Sequence, residues 1–307
     1  MCCEHFAGGS KQRPLRNCKI GRSLDLKLMS VRLIALDIDG TLLDSASEVP
    51  PANRRAIEAA VDQGIEVALV TGRRFHFALP IASQIPCALT MIVNNGAVVK
   101  SKEGITHLRH LLPQKTALQV LSLLPQHRAG AAVVFDRPRA NQVIYEKIDW
   151  EEPQRKGYFA RNREFIAQVC PLENCLTEDP IQVMYSGSVA EMRILRANLL
   201  DAPKTLEFSL ATTFYEHRDF AMVDVIRANC SKGATLAEWT GMRGFEREEV
   251  MAIGDNFNDR EMLEFAGLPV VMANSVPELK SLGWRETLSN DEGGVAAAIR
   301  EYALEGL

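Results

Sequence analysis

Hydrophobic and polar positions fall in blocks along this chain. Short apolar runs at Val31–Leu36, Ile65–Val70, Leu89–Val93, Val250–Ile253 and Pro269–Met272 are each followed by a polar or glycine-containing break, then by a segment with helical spacing. Runs this continuous suit parallel strands covered on both faces. The helical segments have recognisable ends. Pro50 and Pro51 open a helix over 52–63, striped by Ile57, Ala60 and Val61, and Gly64 stops it. Ser231 stands at the N-cap of a helix over 232–240 closed by Gly241, and a helix over 259–266 ends at Gly267. Alternating strand and helix predict an α/β fold built on a doubly wound, mostly parallel sheet.

Between residues 113 and 220 the texture changes. A helix over 114–124 leads to runs at 131–135 and 142–145, an irregular charged stretch over 149–163, a run at 181–186, a helix over 189–200 and a run at 206–210. This is an α+β pattern set inside the α/β one. The expected organisation is a disordered extension over 1–30, a core over 31–112, an inserted domain over 113–220, and the rest of the core over 221–307.

Composition narrows the function classes. The 307 residues carry a net charge of −4, but residues 1–30 hold six Lys or Arg against Glu4 and Asp25, so residues 31–307 stand at −8. An acidic body argues against a nucleic-acid partner. No apolar run approaches the roughly 18 residues that cross a bilayer, so no membrane partner is expected. Three of the seven cysteines, Cys2, Cys3 and Cys18, crowd the start, and Cys87, Cys170, Cys175 and Cys230 are scattered. That is neither a disulfide framework nor a zinc spacing, and without a secretory apolar segment it points to a reducing cytoplasm. Met29-Ser30 immediately precedes the first apolar run, so residues 1–28 are expected to be either an upstream extension that the recognised chemistry does not need or a misread start on a protein that begins at Met29.

The chemistry sits where the runs end. They deliver Asp37-Ile38-Asp39-Gly40-Thr41, Thr71-Gly72-Arg73, Asn94-Asn95-Gly96 and Gly254-Asp255-Asn256-Phe257-Asn258-Asp259. In an open parallel sheet the ligand crevice lies outside the carboxyl ends of the strands, so these loops converge. A strand-end carboxylate such as Asp37 can attack phosphorus and form an aspartyl phosphate. Two anions meet only with a hard divalent cation between them, for which Asp37 and Asp255 offer oxygen ligands suited to Mg²⁺. Asp39 can protonate the departing oxygen and later take a proton from water, and Gly40 permits the turn. Thr71 beside Gly72, Asn258, and Lys232 in the first turn of its helix supply phosphate-binding donors.

LDIDGTLL at 36–43, VTGR at 70–73, SKG at 231–233 and GDNFND at 254–259 resemble, in order, the four motifs of the haloacid dehalogenase (HAD) superfamily. NNGA at 94–97 and the large insert resemble its Cof-type, class IIB phosphatases. The resemblance implies Asp37 as nucleophile and Asp39 as general acid/base, with Thr71 and Lys232 on the phosphoryl group and Asn258 on substrate phosphate. It implies Mg²⁺ held by Asp37, the backbone carbonyl of Asp39 and Asp255, with Asp259 behind these ligands or an occasional ligand itself. Members that cleave carbon–halogen bonds lack the acid/base aspartate, so Asp39 disfavours dehalogenation.

The expected function is therefore Mg²⁺-dependent hydrolysis of a small phosphorylated metabolite: a sugar phosphate, a nucleotide or a cofactor-precursor phosphate. The alternatives are a phosphomutase or phosphotransferase using the same aspartyl phosphate, and a non-catalytic phosphometabolite sensor. Weaker candidates are His217 and Arg218 in Glu216-His217-Arg218-Asp219, placed to touch a leaving group or to form a solvated turn. His76 and His107 read as surface or packing residues, and Trp150, Trp239 and Trp284 show no cluster that suggests a base-stacking platform.

Overall fold

The computed structural model describes residues 30–304 apart from Gln154; the extension over 1–28 lies outside the described residues. The strands are, in chain order, β1 (Leu33–Leu36), β2 (Glu66–Val70), β3 (Thr90–Val93), β4 (Val98–Ser101) and β5 (Thr106–Arg109). Six follow: β6 (Ala131–Val134), β7 (Val143–Tyr145), β8 (Ile166–Gln168), β9 (Gln182–Gly187), β10 (Ser209–Tyr215) and β11 (Phe220–Ile226). The last are β12 (Val250–Gly254), β13 (Leu268–Val271) and β14 (Arg285–Glu286).

Two sheets result. The eight-stranded one runs β14-β13-β12-β1-β2-β3-β4-β5, parallel from β14 to β3, with β4 and β5 turned antiparallel. Its core is divided by the pleat. Ile34 and Leu36 of β1 join Ile57, Met251, Val295 and Ile299 on one face, while Leu33 and Ala35 join Leu236, Trp239 and Met262 on the other. Helices Pro51–Asp62 and Gly294–Ile299 pack together on the first face, Lys232–Met242 and Arg260–Phe265 on the second. The doubly wound α/β reading is therefore correct.

The six-stranded sheet runs β10-β11-β9-β6-β7-β8, antiparallel except for β7 against β8. Ala221, Val223 and Val225 point into a separate cluster under helices Gln114–Leu123 and Val189–Leu200. The alternate positions turn toward the first sheet, where Ala132, Val134, Met184 and Ala211 pack on its core. Among the described residues no helix is long and apolar enough to cross a membrane.

Three local readings need correcting. The helix expected to close at Gly241 continues through Met242, and the positive φ of 68° falls at Gly244. The stretch over 149–163 contains a helix, Lys156–Asn162, whose N-cap Arg155 has no capping side chain to announce it. The run at 206–210 is displaced: the strand is Ser209–Tyr215, where Thr212 and Thr213 dilute the apolar signal but fit a pleated surface.

Candidate active site

β1 lies between β2 and β12 with Leu36 level with Leu69 and Ile253, so Asp37, Thr71 and Asp255 leave the sheet close together. One carboxylate oxygen from each of Asp37, Asp255 and Asp259 lies within 4.8 Å of the others, and all three residues are buried. Lys232, 2% exposed, reaches into this group and donates to Asp37 at 2.5 Å and to Asp259 at 2.6 Å. Thr41 Oγ1 donates to Asp255 at 2.9 Å. Gly40, at φ 81°, closes the turn; a Cβ there would clash with the Asp255 carboxylate. The second Asp259 oxygen accepts the backbone N–H groups of Asp255 at 3.1 Å and Asn256 at 3.0 Å, so this side chain also braces its loop.

The charges of this group do not balance. Burial, then the Asp259 carboxylate, push the Asp37 carboxyl well above its ordinary range while Lys232 opposes. The same two causes push Asp255 up to about 7. Burial pulls the Lys232 ammonium down, but Asp259 and Asp37 outweigh it and hold it charged. Fully ionised, the three buried carboxylates would leave two negative charges over against the one ammonium. A hard divalent cation fits that deficit in both charge and donor type.

Asp39 stands at the rim, held by Arg73 in a fork: Nε to Oδ2 at 2.8 Å and Nη2 to Oδ1 at 2.6 Å. Such bidentate pairs fix orientation as well as charge. Thr71, 1% exposed, accepts the Arg73 N–H at 3.1 Å on its oxygen, leaving its own proton free to donate. Asn258 sits half-buried in the short turn Phe257–Asp259. The loops after β1, β2 and β12 and the start of helix Lys232–Met242 thus bring Asp37, Asp39, Thr71, Gly72, Lys232, Asp255, Asn258 and Asp259 to one end of the sheet.

The Asn94-Asn95-Gly96 turn joins the two sheets. Asn95 Nδ2 donates to Asp224 of β11 at 3.2 Å, Gln182 Nε2 of β9 donates to the same carboxylate at 2.7 Å, and Asn94 Nδ2 donates to Gln182 at 3.3 Å. Burial pushes Asp224 up to about 7, with the Asn95 hydrogen bond opposing. The folded chain thus holds this proton more tightly than the unfolded chain, so stability falls as pH rises from about 4 to about 7 and levels off above. Thermal midpoints of wild type and Asp224→Asn measured from pH 5 to 8 test this. The wild-type curve should decline more steeply with pH, by the equivalent of a few kcal/mol across the window; parallel curves would refute it.

The weaker candidates divide. Glu216–Arg218 forms a short turn between β10 and β11 in which Glu216 pairs with Arg193 at 2.6 Å and Arg218 is exposed; the His217 side chain lies outside the described residues. His76 stacks on Phe165, His107 packs on Trp239, Trp150 lies under Arg163, and Trp284 packs on the core, all as packing residues. Sequence reasoning quoted Arg73 without giving it a role and passed over Asp224 and Tyr215. The available signal for Arg73 was a cation two residues from Thr71.

The haloacid dehalogenase-like hydrolase family matches residues 34–299 of the chain. A 5-amino-6-(5-phospho-D-ribitylamino)uracil phosphatase of Bacillus subtilis is 27% identical over 281 residues, covering 88% of this chain and 97% of its own. A pyridoxal phosphate phosphatase of Escherichia coli K12 is 28% identical over 269 residues, covering 82% and 92%. Among solved structures, a haloacid dehalogenase-like hydrolase of B. subtilis superposes with a TM-score of 0.74 at 24% identity, over 88% of this chain and 99% of that one.

Proposed function

The chain belongs to the haloacid dehalogenase-like hydrolases, and from that premise we propose that it is a Mg²⁺-dependent phosphatase releasing phosphate from a small metabolite through an aspartyl phosphate on Asp37. The observation that carries this reading is the buried group of Asp37, Asp255, Asp259 and Lys232, with Asp39 held two residues from the nucleophile. The phosphatases of B. subtilis and E. coli act on small phosphorylated metabolites, which supports the same class for this chain. The six-stranded sheet and its helices, entering near residue 113 and running on through β11, are proposed as the cap that covers the substrate.

Each residue has a part in the sequence of steps. Asp37 Oδ attacks phosphorus; the phosphorus–oxygen bond to the leaving alcohol breaks; Asp39 gives that oxygen its proton. Water, deprotonated by Asp39, then attacks the aspartyl phosphate, releasing phosphate and restoring the Asp37 carboxylate and the protonated Asp39 acid. Lys232 and the Thr71 hydroxyl neutralise and orient the phosphoryl oxygens, with Asn258 on substrate phosphate and the Gly72 backbone approaching closely. Asp37 and Asp255 would hold Mg²⁺, with Asp259 behind them, and the bound ion supplies the charge that lets two anions meet.

Phosphate release from acetyl phosphate, with and without chelator, tests the reading, and acid quench during turnover should trap one labile phosphate per chain. Turnover undiminished by chelation would sink it. A further outcome concerns Arg73: Arg73→Gln leaves Asp39 unheld, so steady-state kinetics should show kcat lower by about 10- to 100-fold with a smaller change in KM. An unchanged kcat would mean the fork is not needed.

A further inference from the structure

β10 ends at the catalytic rim. Its residues Ala211, Thr213 and Tyr215 share one face, and Ala211 packs on the core of the first sheet, while Leu210 and Phe214 on the other face belong to the second sheet's own cluster. Tyr215 therefore faces the catalytic loops. The strand packs across the turn Phe257–Asp259, which carries Asn258 and Asp259. Burial raises the Tyr215 phenol above its ordinary value and the Asp39 carboxylate adds to this while Arg73 opposes, so its hydroxyl lies within electrostatic reach of the acid/base pair. Phe220, opposite in the ladder, stacks near-parallel on Tyr215 at 6.3 Å and 22° and fixes the plane of its ring. On the Phe257–Asp259 turn, next to Asn258, Phe257 is 51% exposed.

An exposed phenylalanine beside Asn258, on a turn packed against the strand that ends in Tyr215, offers a second aromatic face for gripping a flat group. We propose that Tyr215 from the second sheet and Phe257 from the first form an aromatic clamp for the leaving group, and that the substrate's alcohol carries a planar aromatic or heteroaromatic ring. The clamp rests on the phosphatase reading above and narrows it. A sugar or glycerol leaving group presents hydroxyls that neither ring face satisfies, whereas a planar ring gains offset stacking worth about tenfold per aromatic partner.

The Mg²⁺-loaded full chain is assayed on pyridoxal phosphate and flavin mononucleotide, which carry planar aromatic rings, and on glucose phosphate and glycerol phosphate, which do not. The aromatic probes should show kcat/KM at least about tenfold higher. Tyr215→Leu should collapse that ratio through KM, and Tyr215→Phe, which keeps the ring, should retain it. Equal kcat/KM for the two classes in wild type, or a ratio unaltered in Tyr215→Leu, overturns the clamp while acetyl phosphate turnover leaves the phosphatase reading standing. Absence of turnover on acetyl phosphate and all four probes overturns both.

Discussion

Asp37→Asn is expected to lose phosphate release by on the order of 10⁴-fold or more while remaining folded. The substitution keeps the shape of the side chain but removes the carboxylate that would attack phosphorus. Lys232 retains its 2.6 Å partner Asp259, so the ammonium is not stranded. One negative charge also leaves a site that has an excess of them, so the thermal midpoint should hold or rise. Single-turnover phosphate release measured alongside thermal unfolding separates the two effects. Residual turnover above about one per cent of wild type would assign the nucleophile elsewhere.

The second large effect lies in Lys232. Its side chain is 1% exposed, between carboxylates that are 6% and 0% exposed. Lys232→Met fills a similar volume but leaves Asp37 and Asp259 facing each other with no cation between them. Breaking a buried pair by removing one partner costs about 3–5 kcal/mol, because the remaining charge is uncompensated. Chemical denaturation without divalent cation should show that loss, and turnover should fall by roughly 10³-fold as the phosphoryl oxygens lose their cation. Adding Mg²⁺ should raise the midpoint of the variant by more than that of wild type, since the ion then meets a larger charge deficit. A variant as stable as wild type would show that Lys232 does not balance these carboxylates.

What could be read from the chain and what could not follows sequence distance. Asp37, Thr71 and Asp255 were legible because each follows an apolar run, and the parallel-sheet rule places such ends together without any contact being known. Ser231 and Lys232 were legible because capping is local: Ser231 accepts the Ala234 N–H at 3.1 Å. Arg73 and Asp39 lie 34 positions apart and Asn95 and Asp224 lie 129 apart, and nothing local in either segment names its partner. The hairpin of β4 and β5 also escaped, because its strands Val98–Ser101 and Thr106–Arg109 are half polar and have no continuous apolar run. Tyr215 was hidden by a threonine-rich strand end and became visible only when the register showed which face it takes.

The place of β1 has a consequence for how this protein is made. Its two parallel neighbours are β2, about thirty residues later, and β12, which begins only at Val250. Until the ribosome has delivered that segment, one edge of β1 has no partner, and Asp37 lacks both Asp255 and Asp259. Pairings of such long range form slowly, and an exposed apolar edge invites association with other chains in the interval. The nascent chain therefore depends on prompt completion of its last fifth, and catalytic competence is the final property it acquires. A product terminated before Gly254 lacks Asp255 and Asp259 and has an open sheet edge, which marks it for aggregation or degradation before it could act on any phosphate ester.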